Sequence, residues 1–489
     1  MERIWIANSQ TFTRMKILYS FIFLVLLSSC AVNPVTGRQD FVMMSENEEI
    51  AIGKKYHAEI LRQYPLYEDQ ILQEYVQRIG NSLASKSHRP NLFYRFTILD
   101  SPDINAFALP GGYIYINRGL MAYLSSEEEL AAVLGHEIGH VTARHSVRQQ
   151  SQSQIMGILT AALEIKSGRN AANLMNAASG VLLAGYGRDM ELEADDLGAQ
   201  YLMLEGYSPK GMMDVLSVLK DQEIYSNDLN KKRGQDSVNY HGVFSSHPSN
   251  DKRLKEILDE VSGSIKRGAI KETSDYLKMI DGIVFGDSVE SGVRRGREFF
   301  HRNLDMYLKS PVDWEIINTP KTIIFRAPFG RALLKVTLED LNFRETPKDY
   351  MNRISKNHSK GKELLINGFQ GYTALLQERT GGIKRLAVIF KENQIYQFLG
   401  FIDDGLDDFK DYDKFFLEII ESLDSLDKRG KELSGSLRIV NYQIAEGDTY
   451  KKLAIKSSIP YDAEQQLRLL NGDYPDSKLE IGQEIKLVK

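Results

Sequence analysis

The stretch EELAAVLGHEIGHVTARHS, Glu128 to Ser146, sets two histidines four residues apart with a glutamate directly after the first. Apolar residues Leu130, Val133, Leu134, Ile138 and Val141 recur at helical spacing, and Ser126 with Glu129 has the pattern of a capping box, so HEIGH lies inside a helix. At about 100° per residue, His136 and His140 point within roughly 40° of each other, one turn apart, and can reach a single ion. Zinc takes neutral imidazole nitrogen at about 2.0–2.1 Å, and a rigid helix supplies two such donors without ordering a loop. Glu137 falls in the neighbouring sector, suited to taking a proton from a metal-activated water rather than to ligation. The alternative is two surface or core histidines. Against it, His-Glu-x-x-His arises by chance on the order of once per hundred chains of this size. Gly135 and Gly139 also have no packing reason in an ordinary helix.

Catalytic zinc needs a third protein ligand and an open position for water. The chain has one cysteine, Cys30, so an intramolecular disulfide is excluded and a metal site must use nitrogen and oxygen. GRDMELEADDLGAQYL, Gly187 to Leu202, reads as a helix in which Glu191 and Asp195 share a face while Glu193 points about 200° away. Glu191 is therefore the expected ligand of one Zn²⁺ per chain, and Glu193 is not. Asp195 is expected to accept a hydrogen bond from the far ring nitrogen of a ligating histidine, fixing its tautomer. Gly198 removes a side chain where the two helices must approach. His145 reads as a packing residue.

HEIGH followed about fifty residues later by ELEAD closely resembles the gluzincin metallopeptidases of the CAAX prenyl protease and HtpX-like family, especially their periplasmic lipoprotein members, over roughly residues 45–260. The resemblance implies a zinc metalloendopeptidase with His136, His140 and Glu191 as ligands and Glu137 as general base. NAFALPGGYIYINRGL resembles the family's edge strand. It implies that Asn105, Ala106 and Phe107 contact an extended or unfolded polypeptide through main-chain hydrogen bonds, an internal strand being the alternative. SSHPSNDKRL resembles a downstream His-Pro segment, in which His247 caps the zinc and holds the enzyme latent, or stabilises the oxyanion with help from Arg253, or is a loop histidine before a turn proline.

The N-terminus supplies an address. Arg14 and Lys16 precede the apolar run Ile17–Leu27, and Ser28 and Ser29 lead into Cys30, the order of a secretory signal peptide too short to span a bilayer stably. LSSC, Leu27–Cys30, resembles the lipobox of bacterial lipoproteins, which implies lipidation of Cys30 and a membrane anchor. Ala31 in place of the retention aspartate implies the periplasmic face of the outer membrane.

The elements that must position these groups follow from the pattern. Residues 1–30 are the signal peptide and 31–44 a tether. Residues 45–270 form the zinc metallopeptidase domain, helical to about Ala84, strand-like at both ends of Leu92–Leu124 around Pro110-Gly111-Gly112, and helical again from Ser126 to about Leu219. Two apolar segments within Ser151–Gly185 are separated by Lys166, Arg169, Asn170 and Asn173 and are each too short to span a membrane. Asn227–Val238 reads as a mobile loop, Asp251–Ile265 as a helix, and a further helix runs to about Arg302. Residues 271–427 form a second α+β domain of strands, a Glu392-Asn393 hairpin turn and an amphipathic helix Asp408–Leu423, with no catalytic motif. Residues 428–436 are a linker. Residues 437–489 resemble a LysM module of strand, two helices and strand, which implies either peptidoglycan binding or a structural cap. The fold class is α+β.

A chain of 489 residues, 42% hydrophobic and 26% charged, is an ordinary globular protein of several domains, and its net charge of −5 without any Lys/Arg run excludes nucleic acid as a partner. The expected function is cleavage of misfolded or stalled envelope proteins. The alternatives are a latent-protease chaperone for outer-membrane protein assembly and a peptidoglycan-binding protein.

Overall fold

The computed structural model describes residues 30–42, 44–151, 186–232, 276–319, 321–341, 344–359, 361–377, 382–403 and 409–489. The apolar segments within 151–185, the helix expected at 251–265, His247 and Arg253 lie outside them. So does the signal peptide apart from Cys30.

The stretch expected as a tether contains a small hairpin, β1 (Cys30–Val32) against β2 (Gln39–Phe41). It closes because the Asn33 side chain accepts hydrogen bonds from the Val35 and Thr36 N–H groups, an Asx turn that a composition-based reading passes over. Helix α1 (Glu46–Gln63) opens on the Ser45/Glu48 capping box, with both reciprocal bonds present. Helix α2 (Gln70–Ser85) follows from the Asp69 cap. The segment 92–124 resolves into β3 (Arg95–Leu99), β4 (Ala106–Leu109), β5 (Tyr113–Asn117) and the short α3 (Arg118–Tyr123). The sheet order is β3-β5-β4, parallel between β3 and β5 and antiparallel between β5 and β4. Both β3 and β4 are edges.

Helix α4 (Glu127–Thr142) carries HEIGH, and α5 (Arg188–Glu205) carries ELEAD. Ser126 Oγ accepts from the Glu129 N–H, but the reciprocal bond comes from the Ser125 N–H rather than from Ser126, one residue off the expected capping box. Helix α6 (Lys210–Lys232) runs well into the stretch expected as a loop. Its C-terminal half is held from outside: the Tyr474 hydroxyl donates to Asp228 at 3.2 Å, and the Tyr225 and Tyr474 rings meet edge to face.

Past a single helical turn, Tyr276–Met279, the helix expected to reach Arg302 is replaced by short strands β6 (Val284–Phe285), β7 (Val293–Arg295), β8 (Glu298–His301) and β9 (Met306–Lys309). Gly282, Gly292 and Gly296 adopt positive φ there and turn the chain. Seven antiparallel strands then form one sheet: β10 (Glu315–Thr319), β11 (Thr322–Arg326), β12 (Ala332–Asp340), β13 (Lys362–Ile366), β14 (Phe369–Gln377), β15 (Ile383–Lys391) and β16 (Gln394–Ile402). Their order is β10-β11-β12-β16-β15-β14-β13, and Glu392-Asn393 is the turn between β15 and β16. Alternation divides the two faces. Ala387, Ile389, Tyr396 and Phe398 pack with α8 (Phe409–Glu421), while Leu386, Val388 and Ile395 pack with Tyr350 and Met351 of α7 (Pro347–Ile354).

The stretch expected as a linker is helix α9 (Lys428–Leu433), capped by Asp427 and pinned by Arg302, which donates to the Lys431 carbonyl and Ser434 Oγ. The C-terminal unit has the expected order: β17 (Leu437–Gln443), α10 (Tyr450–Lys456), α11 (Ala463–Leu470) and β18 (Glu484–Val488). It does not stand apart. β17 pairs with β6, and Ile439, Leu453, Leu467 and Ile485 belong to the same apolar core as α2, the β3-β5-β4 sheet and α4. From β18, the buried Lys486 ammonium donates to the carbonyls of Ala122, Tyr123 and Leu124 at 3.1, 3.2 and 2.8 Å, at the end of α3 just before the α4 cap. A cation at a helix C-terminus satisfies carbonyls that have no intrahelical partner.

Candidate metal centre

Helices α4 and α5 approach closely because glycines line the crossing. A Cβ on Gly139 would lie 2.8 Å from the Ala194 carbonyl oxygen, and one on Gly198 would lie 2.9 Å from the His136 nitrogen. Gly139, the glycine of HEIGH, therefore does have a packing reason, one that appears only when the second helix is in place.

Across this crossing His136, His140 and Glu191 converge, each offering one ligand atom within 4.8 Å of the others. The His136 and His140 Nε2 atoms are 3.0 Å apart, and the Glu191 oxygens lie 3.7 and 3.6 Å from them. All three side chains are buried, and so is Glu137.

The proton positions follow from the partners. His136 Nδ1 is 2.8 Å from Asp195 Oδ1; a carboxylate only accepts, so Nδ1 carries the proton and Nε2 a lone pair. His140 Nδ1 is 2.8 Å from His145 Nδ1, and His145 Nε2 is 3.0 Å from Glu193 Oε2. A carboxylate only accepts, so His145 Nε2 donates to Glu193, and with the ring proton there His145 Nδ1 is left to accept from His140. His140 Nε2 is then also a lone pair. Two imidazole nitrogens and a buried carboxylate thus face one point, a donor set that a cation would bind. Tetrahedral zinc places two nitrogen ligands roughly 3.3 Å apart, close to the spacing seen. The donor set fits zinc.

Sequence reasoning set His145 aside as packing and gave Glu193 no part beyond not being a ligand. The structure agrees that Glu193 faces away from the three donors, but it ends a chain that begins at His140. Glu193 in turn accepts from Arg148 at 2.7 Å, and the His145 bond is the main reason its carboxyl is pulled down to about 2. The turn that returns His145 to the site is Arg144, left-handed at φ 55°, with its guanidinium tied to Glu49 at 2.9 Å and to the Met44 carbonyl. The Tyr186 ring stacks on His140 at 4.1 Å and its hydroxyl meets Ser146 Oγ.

The family model described as Peptidase family M48 matches residues 70–261, which span both motif helices. Residues 70–261 belong to peptidase family M48. The chain is 28% identical over 264 residues to the beta-barrel assembly-enhancing protease of Yersinia pestis, covering 52% of this chain and 51% of that protein. It is 31% identical over 219 residues to the mitochondrial metalloendopeptidase OMA1 of Arabidopsis thaliana, covering 45% of this chain and 41% of that protein. It is 28% identical over 189 residues to the metalloprotease YcaL of Escherichia coli, covering 38% and 68%. The chain spans about half the length of the assembly-enhancing protease it matches.

The two sheet edges beside the M48 helices differ. On β3, the Gln73 side chain accepts from the Ile98 N–H and donates to the Ile98 carbonyl, and Gln77 does the same for the Phe96 N–H and the Tyr94 carbonyl. Amide side chains thus occupy that edge. On β4, the Asn117 N–H donates to the Asn105 carbonyl, which makes Asn105, Phe107 and Leu109 the residues bonded inward to β5. The main-chain groups of Ala106 and Ala108 point to the outer edge. The sequence placed Asn105, Ala106 and Phe107 together; the register separates them, and the Phe107 ring stacks on Tyr115. Among the described residues no helix is long and apolar enough to cross a membrane.

Proposed function

We propose that the chain is a zinc-dependent endopeptidase of the bacterial cell envelope, acting on misfolded or stalled envelope proteins held in extended form. The observation that carries this reading is the convergence of two imidazole nitrogens and a buried carboxylate, with Glu137 on the same helix. Bound Zn²⁺ would lower the pKa of water toward about 7 and polarise a peptide carbonyl. Glu137 accepts the proton of the attacking water and returns it to the leaving amine, as a general base that becomes a general acid. Asp195 holds the His136 ring in register. An extended substrate pairs with the main-chain groups of Ala106 and Ala108 on β4, which explains affinity without side-chain choice, since β3 is already occupied by glutamine amides.

The envelope assignment is supported by the name of the Yersinia pestis relative, a beta-barrel assembly-enhancing protease, and by the order of charge, apolar run and LSSC that ends at Cys30. Lipidation of Cys30 and residence at the outer membrane belong to this proposal. They are tested by whether a Cys30→Ser chain leaves the membrane fraction. The strand-helix-helix-strand order of residues 437–489 supports the LysM likeness, while the burial of Lys486 against α3 favours a structural cap over peptidoglycan capture. Sedimentation of the whole chain with peptidoglycan separates these two. His247 is proposed as a latch or oxyanion donor with Arg253 beside it. Casein turnover that rises in His247→Ala supports the latch, and with it the latent-chaperone reading.

The deciding experiment is Glu137→Gln. It retains stoichiometric zinc and loses casein cleavage; normal turnover by that variant removes the base assignment.

A further inference from the structure

Two ligating histidines one turn apart on the same helix are oriented differently in this chain. His136 meets a carboxylate directly, with Asp195 at 2.8 Å. His140 meets the ring of His145, and only beyond that ring comes a carboxylate, Glu193, itself paired with Arg148 at 2.7 Å. We propose that His145, backed by Glu193 and Arg148, is a positioning residue that keeps the His140 proton on Nδ1 and so presents Nε2 to the metal.

The inference rests on the zinc reading above and goes beyond the ligand set. Its electrostatic logic is local. The site already gathers Glu137, Glu191 and Asp195, all buried. A fourth carboxylate placed directly on His140 would add like charge to that crowd at high cost in a water-poor interior. An imidazole spacer carries the orienting effect of Glu193 inward and leaves its charge outward, where the carboxylate is about a quarter exposed and balanced by Arg148.

The backbone is arranged for this contact. Helix α4 ends at Thr142, and an uninterrupted helix would carry His145 on past the His140 ring. Instead Arg144 takes the left-handed conformation, which strains a residue that carries a Cβ. Glu49, buried and shared with Arg89, holds the Arg144 guanidinium in place. A residue that merely filled space would not call for such a turn. His145 is fully buried, and each of its nitrogens has a partner of the correct hydrogen-bonding sense.

The test uses the whole chain, stripped of metal, with zinc affinity read by competition against a chelator and ligand field read from the visible spectrum after cobalt(II) loading. His145→Leu keeps the volume and removes the acceptor. It is expected to weaken zinc by 10–100-fold and alter the cobalt spectrum. His145→Gln can accept from His140 and donate to Glu193, and is expected to recover most of that loss. A packing role alone gives the reverse order, with leucine tolerated and glutamine worse. Zinc affinity of His145→Leu within twofold of the parent overturns the proposal. Should the leucine chain fail to fold, Glu193→Gln, altered at a half-buried position, is expected to lose affinity several-fold, and an unchanged value overturns it equally. A parent chain that binds no zinc defeats the metallopeptidase reading itself; a parent that binds tightly beside unaffected variants defeats only this one.

Discussion

Replacing Gly139 by alanine tests the claim that close packing of α4 on α5 brings the ligands together. The added methyl would sit 2.8 Å from the Ala194 oxygen, 3.0 Å from its Cα and 3.3 Å from its carbonyl carbon, all backbone atoms that cannot swing aside. Relief requires the helices to part by about 0.5 Å, and overpacking of this kind costs about 1–3 kcal/mol. Alanine returns up to about 1 kcal/mol of helix propensity, so the net loss of fold stability is expected at about 0–2 kcal/mol. Zinc binding should suffer more than the fold. Gly139 precedes His140, and Ala194 lies between Glu191 and Asp195, so parting the helices there moves the imidazoles away from both carboxylates. A loss of tenfold or more, about 1.4 kcal/mol, is expected in chelator competition. Gly198→Ala should behave likewise, because its methyl meets the His136 nitrogen at 2.9 Å. Gly135→Ala is the control: its nearest contact is 3.3 Å, and the propensity gain should roughly cancel the crowding. Urea denaturation of metal-free chains and zinc titration of the same samples separate fold from site. Unchanged zinc affinity in Gly139→Ala, or a larger loss in Gly135→Ala, refutes the reasoning.

Chelation should lower the melting temperature reversibly, and zinc restored at about 100 times its dissociation constant should return about 2.7 kcal/mol; a melt indifferent to zinc counts against a resident metal. Lys486→Met should cost on the order of 1–3 kcal/mol, because three carbonyls at the end of α3 lose their donor. A chain ended at 436 should be insoluble or lack cooperative melting; a soluble, cooperative product would show the C-terminal unit to be dispensable. Burial raises Asp221 to about 6 from an ordinary 3.8, so the folded state binds a proton there that the unfolded state lacks between those values. Stability is lost as pH rises through that window, and the penalty is full above it. Asp221→Asn should therefore raise the melting temperature at pH 7.5 and have little effect near pH 4, by under about 1 kcal/mol since the group is half exposed. Equal shifts at both pH values would contradict this.

What could be read in advance followed the range of each physical rule. Helical periodicity reaches one turn, which is why it assigned His136 with His140 and Glu191 with Asp195, and why both pairs are found on one face. It does not reach across a break. His145 follows a left-handed residue held by Glu49, nearly a hundred positions earlier in the chain, and no local pattern announces that turn. The same limit explains the helix expected up to Arg302. Glycines at positive φ divide it instead into strands, of which β7, β8 and β9 pair with one another and β6 takes its partner, β17, from the far end of the chain. The stretch 428–436 was polar enough to read as a linker, yet Arg302 and the Asp427 cap make it a helix. Alternation succeeded in the seven-stranded sheet because each face there packs on its own helix.

These long-range ties bear on how the motif helix is held. Its N-terminal end is reached from β18, where Lys486 binds the carbonyls of residues 122–124 and faces Glu129 of the first turn. Its C-terminal end is reached from α1, where Glu49 bridges Arg144 and Arg89, and Arg89 donates to the Val141 carbonyl. Helix α4 is thus a strut held at both ends with the help of Lys486 and Glu49, which lie outside residues 70–261. Two ligands one turn apart tolerate little tilt of the helix that bears them, because a shift of about 0.5 Å at one end is a large fraction of the tolerance of a metal site. It follows that a fragment matching the family segment alone would contain every ligand and still lack the anchors that aim them. Zinc affinity should then fall in Glu49→Gln and Lys486→Met even though neither side chain touches the donors. Were both variants to bind zinc as tightly as the parent, the helix would have to be held by the Gly139–Ala194 crossing alone.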